Sequence, residues 1–393
     1  MDILHKLLDI SKRAPLPLVL SFLITTIVGF VLLLYVGLFI IAPIPREPLP
    51  SEKTFNCIDK AGRVSYDHRL PCWQDAFGAR KEDAHKDGEQ LGNDIDIEEP
   101  EVYMSLVVPA YNEQERLEIM LSEAVDYLRK EYGTSGERAP VNGVVKRQKA
   151  SANGHILGKS RRKAVLSEPT GWEIIIVNDG STDKTSATAL DFAATRLGKD
   201  ASLVRVVSLK HNRGKGGAVT HGMRHVRGKY AVFADADGAS KFEDLGKLVR
   251  ASQDIEDSDG RGVAVGSRAH LVGSEAVVKR SFLRNLLMHS FHLLLRLLTP
   301  PATAAIRDTQ CGFKLFSRPS LPYIIPFMHC EGWIFDVEML MLAELAGIPV
   351  AEVPVGWKEV KGSKLNVLWD SLGMAYGLAL LRVAWGLGVY RRS

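Results

Sequence analysis

Apolar residues run through this chain in three rhythms, each predicting a different kind of element. From Ala14 to Pro45 there is no charged residue, and Leu18 to Ala42 is 25 residues rich in Leu, Ile, Val and Phe. About 20 residues at 1.5 Å rise cross a ~30 Å hydrocarbon core, so this run predicts a membrane-spanning helix. A cleaved signal peptide is disfavoured. Its apolar region runs only about 7–15 residues, and Pro43 and Pro45 stand where a small-residue cleavage site belongs. The second rhythm starts at Ser105. Short β-branched runs (Ser105–Pro109, Glu173–Asn178, Leu203–Leu209, Tyr230–Ala234, Gly262–Gly266) alternate with helical patterns over Gln114–Lys130, Lys184–Leu197, Gly217–Val226 and Phe242–Ser252. Such alternation predicts an α/β domain with a mainly parallel sheet covered on both faces.

The third rhythm is helical with a broad apolar face. In Ser281–Thr299, a 100° step gathers Ser281, Arg284, Asn285, His289, His292 and Arg296 into an arc of roughly 140°. Leucines and phenylalanines fill most of the remainder, which predicts an amphipathic helix at a membrane interface. Trp369–Tyr390 is also apolar but contains Arg382. A central Arg costs about 2.5–3.5 kcal/mol on insertion scales, so a second in-plane helix is expected, with a true span as the alternative.

These rhythms divide the chain into an anchor (1–45), a membrane-proximal acidic linker (46–100), an α/β domain (101–365) and a membrane-associated C-terminal helix (366–393). Glu82 to Glu101 holds nine acids against one lysine and no hydrophobic period, as a solvated spacer would. The first two strands stand roughly 60 residues apart, well past a simple βαβ unit. The excess, 134–168, carries eight basic residues against two acids and no aromatics, and is expected to be a disordered surface insertion able to touch anionic lipid.

Composition narrows the class. With 46% hydrophobic and 24% charged residues, wholesale disorder and a small disulfide-stapled scaffold are both excluded. A net charge of +4 gives no argument for nucleic acid. Cys57, Cys72, Cys311 and Cys330 fit no zinc spacing and impose no disulfide framework, and Cys311 is expected to be a buried thiol. His211, His221, His225 and His270 show no metal-ligand spacing and are expected to be structural or solvated.

Several polar groups sit where strands end, the edge at which open α/β sheets bind ligands. Pro109, Tyr111, Asn112 and Glu113 follow the first run; Asp179, Gly180, Ser181 and Asp183 follow the second; His211 to Gly217 follow the third; Asp235-Ala236-Asp237 follows the fourth. Two carboxylates at i and i+2 past a buried strand can share a divalent cation with phosphate oxygens. The competing interpretation is a turn with solvated aspartates. Asn212-Arg213-Gly214-Lys215-Gly216-Gly217 is expected as a loop whose glycines permit close backbone approach and whose cations balance phosphate, although it is no P-loop.

Eight segments in order, PAYNE (109–113), VNDGSTDKT (177–185), NRGKGGA (212–218), ADADGA (234–239), GSRAH (266–270), DTQCGFKLF (308–316), WIFDVEML (333–340) and GSKL (362–365), resemble the dolichyl-phosphate β-glucosyltransferases. These are membrane-bound, inverting GT-A glycosyltransferases, kin to dolichyl-phosphate mannose synthase. The resemblance runs from about Met104 to Leu365, with weaker echoes at Phe55-Asn56 and Leu70 to Trp73. Asn178 stands where an Asp is usual, and Gly332 where Arg is common.

The resemblance implies UDP-glucose as donor, dolichyl phosphate as acceptor and Mg²⁺ or Mn²⁺ as cofactor. Pro109, Tyr111, Glu113 and Asp179 would line the uridine pocket, with Lys215 and Ala236 also at the donor. Asp235 and Asp237 would hold the metal on the diphosphate. Lys361 and Lys364 would close over it. Arg268, Arg280 and Arg284 would grip the acceptor phosphate, since guanidinium forks suit phosphate oxygens. Lys314 and Asp336 would line the acceptor side. Catalysis would rest on Asp235, Asp237, Arg268 and Asp336, without a general base, because a phosphate monoester with a second pKa near ~6 is already largely a dianion. GDP-mannose as donor, or a non-catalytic membrane scaffold, are the alternatives. Lys6, Lys12 and Arg13 before the span against Arg46 and Lys53 after it slightly favour a cytoplasmic N-terminus. A cytosolic nucleotide sugar implies the reverse: an endoplasmic reticulum membrane protein with one span and its catalytic domain in the cytosol. No nucleic-acid partner is expected, and the oligomeric state is open.

Overall fold

The computed structural model of the chain describes residues 15–86, 97–133, 168–271, 282–358, 360 and 367–392, with backbone alone at 84–86, 282–289 and 367–368. In chain order its elements are α1 (Leu16–Ile41), β1 (Thr54–Ile58), β2 (Val64–Arg69), α2 (Trp73–Lys86), β3 (Val102–Ala110), α3 (Leu117–Tyr132), β4 (Trp172–Asn178), α4 (Thr185–Phe192), β5 (Val204–Ser208), α5 (Gly214–Met223), β6 (Gly228–Ala234) and α6 (Leu245–Ile255). Then follow β7 (Val263–Ser267), α7 (Phe282–Leu298), α8 (Pro301–Ala305), β8 (Phe313–Ser317), α9 (Phe335–Leu345), β9 (Val350–Pro354) and α10 (Val367–Gly386). The chain divides into two bodies, one holding α1 and the residues from Ala379 onward, the other Pro45–Leu378.

In the first body, α1 buries none of its side chains, and it is the one described helix long and apolar enough to cross a membrane. Tyr390 donates its hydroxyl to Pro43 O at 2.8 Å, tying the C-terminal end to the chain two residues past α1.

The second body is built on a nine-stranded sheet in the order β2-β1-β5-β4-β3-β6-β8-β7-β9. Its centre, β5-β4-β3-β6, is parallel, as the alternating pattern requires. The strand order reverses around β3. The crossovers through α3 and α4 step one way to β4 and β5, and α5 returns the chain to β6 on the other side. That reversal opens a crevice at the carboxyl edge. One sheet face takes Leu106, Val108, Ile174 and Ile176 into a core with α3, α4 and α6. α3 buries Leu117, Met120, Leu121, Ala124, Val125 and Leu128, a helical i, i+3, i+4 stripe. α5 covers the opposite face so closely that a Cβ on Gly222 would strike Val107.

Four strands lie outside the expected five, for identifiable reasons. β8 carries Lys314 inside its apolar run, and β9 carries Glu352 and Pro354. β8 runs antiparallel between β6 and β7, so the sheet is mixed. β1 and β2 lie in the stretch expected to be linker. β1 pairs with β2 and, through Asn56 and Val206, with β5. Residues 46–86 are therefore part of the folded body, not a spacer. The signal is faint because β2 is an exposed edge strand with almost no apolar face. The remaining acidic run falls mainly on 87–96, and the basic insertion on 134–167, outside the described residues. Helix α7 matches the helix expected at 281–299, and α10 the C-terminal one.

A second correction concerns the glycine-rich run after β5. The chain becomes helical at Gly214, so Lys215 sits in the first turn of α5, not in a loop. Tertiary packing overrides the cost of helical glycine. A Cβ at Gly216 would collide with Phe335 and Cys330 O, so these glycines let α5 press against α9 and the sheet.

Candidate active site

The ends of β3, β4, β5 and β6 meet at one edge, and the loops leaving them are stitched together. Pro109 and Ala110 stand in register with Val177 and Asn178. Beyond them, Asn112 adopts φ +53° and joins the two loops. Its N–H donates to Ser181 Oγ at 2.9 Å, and its Oδ1 accepts from Thr182 N–H at 2.8 Å. Glu113 N–H donates to Thr185 Oγ1 at 2.8 Å. Tyr111 is left 40% exposed at this rim. Asn178 accepts from Ser181 N–H at 3.0 Å and donates to Ser186 Oγ at 2.7 Å, so the amide in place of the usual Asp shapes the turn. Gly332 faces open space, so no packing demands a glycine there.

Asp179 lies beneath these loops, 2% exposed. Burial pushes its carboxyl up to about 6, although Arg213 N–H donates to Oδ1 at 2.7 Å and pulls the other way. Its own N–H donates to Ala110 O at 2.8 Å, and Asn212 Nδ2 donates to its carbonyl at 3.1 Å. The end of β3 and the loop after β5 thus both hold Asp179, through its main chain and, from Arg213, its carboxylate.

Asp235 and Asp237 follow β6. Asp235 N–H donates to Gly312 O at 3.2 Å, just before antiparallel β8. A Cβ on Gly312 would overlap the Asp235 carboxylate, so this glycine clears the space that carboxylate occupies. Lys215 Nζ lies 2.7 Å from Asp235 Oδ1 and 5.9 Å from the Phe335 ring centre. Burial draws the Lys215 ammonium down, but Asp235 and Asp336 together hold its pKa above the ordinary value. Burial and then the Asp235 charge push Asp237 up, against Ala239 N–H at 2.9 Å and the charges of Arg116 and Lys215. Ala236 between them is buried. Two hard oxygen donors at i and i+2 on this buried sheet edge suit a divalent cation. Among the described residues no group of three or more His, Cys, Asp or Glu is placed to hold a metal ion.

Arg268 lies at the same edge, after β7, close enough to Asp235 to feel its charge. Its Nε and Nη2 donate to Asp308 Oδ2 and Oδ1 at 2.7 and 2.8 Å, and its side chain is about one-third exposed. Part of its fork is therefore committed to a carboxylate. Lys314 and Asp336 form a fully buried ion pair, and Lys314 Nζ also donates to Cys311 O at 2.7 Å. Burial raises the Asp336 pKa, with Lys314 and then Lys215 opposing it. Cys311 is a buried thiol held up at about 11, and all four cysteines are free. Arg280, Lys361 and Lys364, and the side chain of Arg284, lie outside what is described. The chain leading to the two lysines is anchored nearby: Lys358 N–H donates to Ala239 O at 2.9 Å.

Two contributors were not legible beforehand. Arg116 forks Glu113 at 2.7 and 2.6 Å and reaches Asp237 electrostatically; a lone Arg at the start of a helical pattern gives no hint of this. Gly312 clears the Asp235 carboxylate only because β8 runs antiparallel beside β6.

Residues 157–321 match the family model described as Glycosyl transferase family 2. The dolichyl-phosphate beta-glucosyltransferase of Saccharomyces cerevisiae is 38% identical, covering 93% of this chain and 94% of that one. The human protein of the same name is 39% identical over 74% of this chain and 78% of its own. Among solved structures, a Mycobacterium tuberculosis glucosyl-3-phosphoglycerate synthase is a more distant likeness, with TM-score 0.45 and 17% identity over 72% of this chain and 80% of that one. With its mainly parallel α/β sheet, the chain is a glycosyltransferase and belongs to the dolichyl-phosphate beta-glucosyltransferase family.

Proposed function

We propose that this enzyme transfers glucose from UDP-glucose to dolichyl phosphate with inversion, yielding dolichyl β-D-glucosyl phosphate, a lipid-linked glucose donor. The observation that carries this is the gathering of Asp235, Asp237, Lys215 and Arg268 at one sheet edge in a chain of this family. Both substrates are anions, and an edge holding paired carboxylates beside several cations can bring them face to face.

The uridine diphosphate lies over the stitched loops, with Pro109, Tyr111, Glu113 and Asp179 at the nucleoside and Lys215, Lys361 and Lys364 at the phosphates. Asp235 and Asp237 would hold Mg²⁺ or Mn²⁺, which would supply charge neutralisation for a departing diphosphate. Arg268, with Arg280 and Arg284, orients the acceptor phosphate. That phosphate, with a second pKa near ~6, is largely a dianion at neutral pH and attacks the anomeric carbon directly. The C–O bond to UDP breaks as the new C–O bond forms on the opposite face, so an α-linked donor gives a β-linked product. No proton has to be removed. The chain supplies position and electrostatics, which suffice when two charged reactants must be held in line.

The acceptor's polyprenol tail lies in lipid. Helix α1 is the anchor, and α7 and α10 lie at the interface; Trp369, Leu372 and Tyr376 of α10 are exposed. We place the protein in the endoplasmic reticulum membrane with the catalytic body in the cytosol. Protease digestion of intact microsomes that spares the body would reverse that orientation.

The deciding experiment incubates purified protein in detergent with dolichyl phosphate, Mg²⁺ and radiolabelled UDP-glucose or GDP-mannose. Labelled lipid should form from UDP-glucose, with a β-anomeric NMR signature. Transfer from GDP-mannose alone, or unchanged function in Asp237→Ala, would overturn the assignment.

A further inference from the structure

We infer that Glu52, on the segment that follows the membrane anchor, is a positioning residue for the donor site. Its carboxylate is fully buried and takes donors from two stretches of chain. Arg46 Nη1 and Nη2 reach Oε2 and Oε1 at 2.8 and 2.6 Å. Leu49 N–H donates to Oε2 and Lys210 N–H to Oε1, each at 2.9 Å. Burial alone would raise the pKa of Glu52, but Arg46 and the two backbone donors hold it at about 2.

The same short segment touches the β5–α5 junction at two further points. Arg46 O accepts from Arg213 Nη2 at 3.1 Å. Glu52 O accepts from Nε2 of buried His221 on α5 at 2.8 Å. Lys210, Arg213 and His221 bracket Lys215, the residue that meets Asp235. Arg213 also places its N–H on Asp179 at 2.7 Å and pairs its guanidinium with Glu331. One carboxylate therefore fixes the loop that donates to Asp179 from Arg213 and leads directly into Lys215.

A buried ion pair is a poor way to gain stability, because desolvation offsets most of the attraction. What a rigid, four-donor carboxylate supplies is geometry. Glu52 holds the Lys210–Lys215 stretch in the conformation that receives the nucleoside diphosphate, so its loss weakens donor capture rather than acceptor binding.

This rests on the proposed UDP-glucose chemistry, and Glu173 supplies the control. Glu173 is as deeply buried, and it binds Ser105, Arg205 and Arg227 at the start of β4, away from the carboxyl edge. Full-length Glu52→Gln and Glu173→Gln, with Arg46→Lys as a milder variant, are compared for UDP binding by calorimetry and for steady-state kinetics. Glu52→Gln should raise the UDP-glucose KM and the UDP Kd about tenfold, with kcat and the dolichyl phosphate KM within about twofold. Arg46→Lys should move the same two constants by a smaller factor, and Glu173→Gln should lower only the melting temperature. Equal shifts in Glu52→Gln and Glu173→Gln, or unchanged donor constants in both Glu52→Gln and Arg46→Lys, would overturn the inference. If wild-type protein neither binds UDP nor turns over UDP-glucose, it is the donor assignment that fails.

Discussion

Lys215 sets its ammonium 2.7 Å from Oδ1 of Asp235, in the first turn of α5 and against the ring of Phe335. The cation thus stands at the carboxylate pair before any substrate does. In the proposed mechanism it serves the donor phosphates, so Lys215→Gln should lower kcat/KM by about 10² while Asp237→Asn should lower kcat by about 10³, in the range for lost electrostatic stabilisation. Radiolabel transfer to dolichyl phosphate measures both, alongside melting temperature. Near-wild-type turnover in Asp237→Asn would end the paired-carboxylate account.

Gly312 offers a subtler test of the same pair. A methyl group there would overlap the Asp235 carboxylate, which is the movable end of a side chain. Gly312→Ala should therefore fold, with Asp235 turned aside. Misplacement by about 1 Å can cost 10²-fold in rate. Turnover should fall by about that factor, and Mn²⁺ affinity measured by electron spin resonance should weaken about tenfold. Unaltered Mn²⁺ binding would show that Asp235 does not depend on this clearance.

How much of this was visible beforehand varies with what each residue touches. The parallel core was legible because β3, β4 and β6 are buried on both faces and consist almost wholly of apolar runs. The carboxylates and cations at strand ends were legible because that edge is where an α/β sheet binds. Arrangements created by contacts between distant segments were not. Lys314 disguised β8 because its partner, Asp336, is 22 residues away. Glu52 looked like one more acid in a spacer because its partner, Lys210, lies 158 residues on. Arg268 was expected to face a phosphate, but it also forks Asp308, which no local pattern announces.

Asp179 should make donor binding pH-dependent. Its carboxyl titrates at about 6 in the fold because it is buried. In the proposed donor site it would accept hydrogen bonds as a carboxylate, and once protonated it would lose an acceptor. The UDP-glucose KM should thus rise as pH falls through about 6, and Asp179→Asn should flatten the profile. The stability sign is opposite. A folded pKa above the unfolded ~3.9 stabilises fully below ~3.9, and that contribution is lost as pH rises through about 6. A KM independent of pH between 5 and 7 would remove Asp179 from the donor site.

The Lys314–Asp336 pair separates stability from chemistry. Removing one partner leaves a buried charge alone, so Asp336→Asn or Lys314→Met should cost about 3–5 kcal/mol, whereas the double variant Lys314→Met/Asp336→Leu should recover most of it. Denaturant titration measures this. If Asp336 serves the acceptor side, the double variant will be stable but at least about tenfold slower. Full activity in a stable double variant would confine the pair to the core.

His221 and His225 should govern acid stability. Both are 1% exposed on or beside α5, with ring centres 5.0 Å apart. Burial pushes them down to about 4 and about 3, because each must stay neutral to fit. His225 Nδ1 donates to Pro71 O at 2.7 Å, as His221 Nε2 does to Glu52 O, so the pair holds residues 52–71 onto the sheet body. An unfolded histidine takes its proton near ~6.5, so their contribution is present above that pH and is lost as pH falls toward about 4. At pH 5 each costs about 2 kcal/mol relative to pH 8, and Asp179 offsets about 1 kcal/mol of the sum. The melting temperature should therefore drop between pH 7 and pH 5. His221→Gln with His225→Asn, which keep a donor near each ring nitrogen, should remove most of that slope. A slope unchanged in the double variant would place the acid-sensitive groups elsewhere.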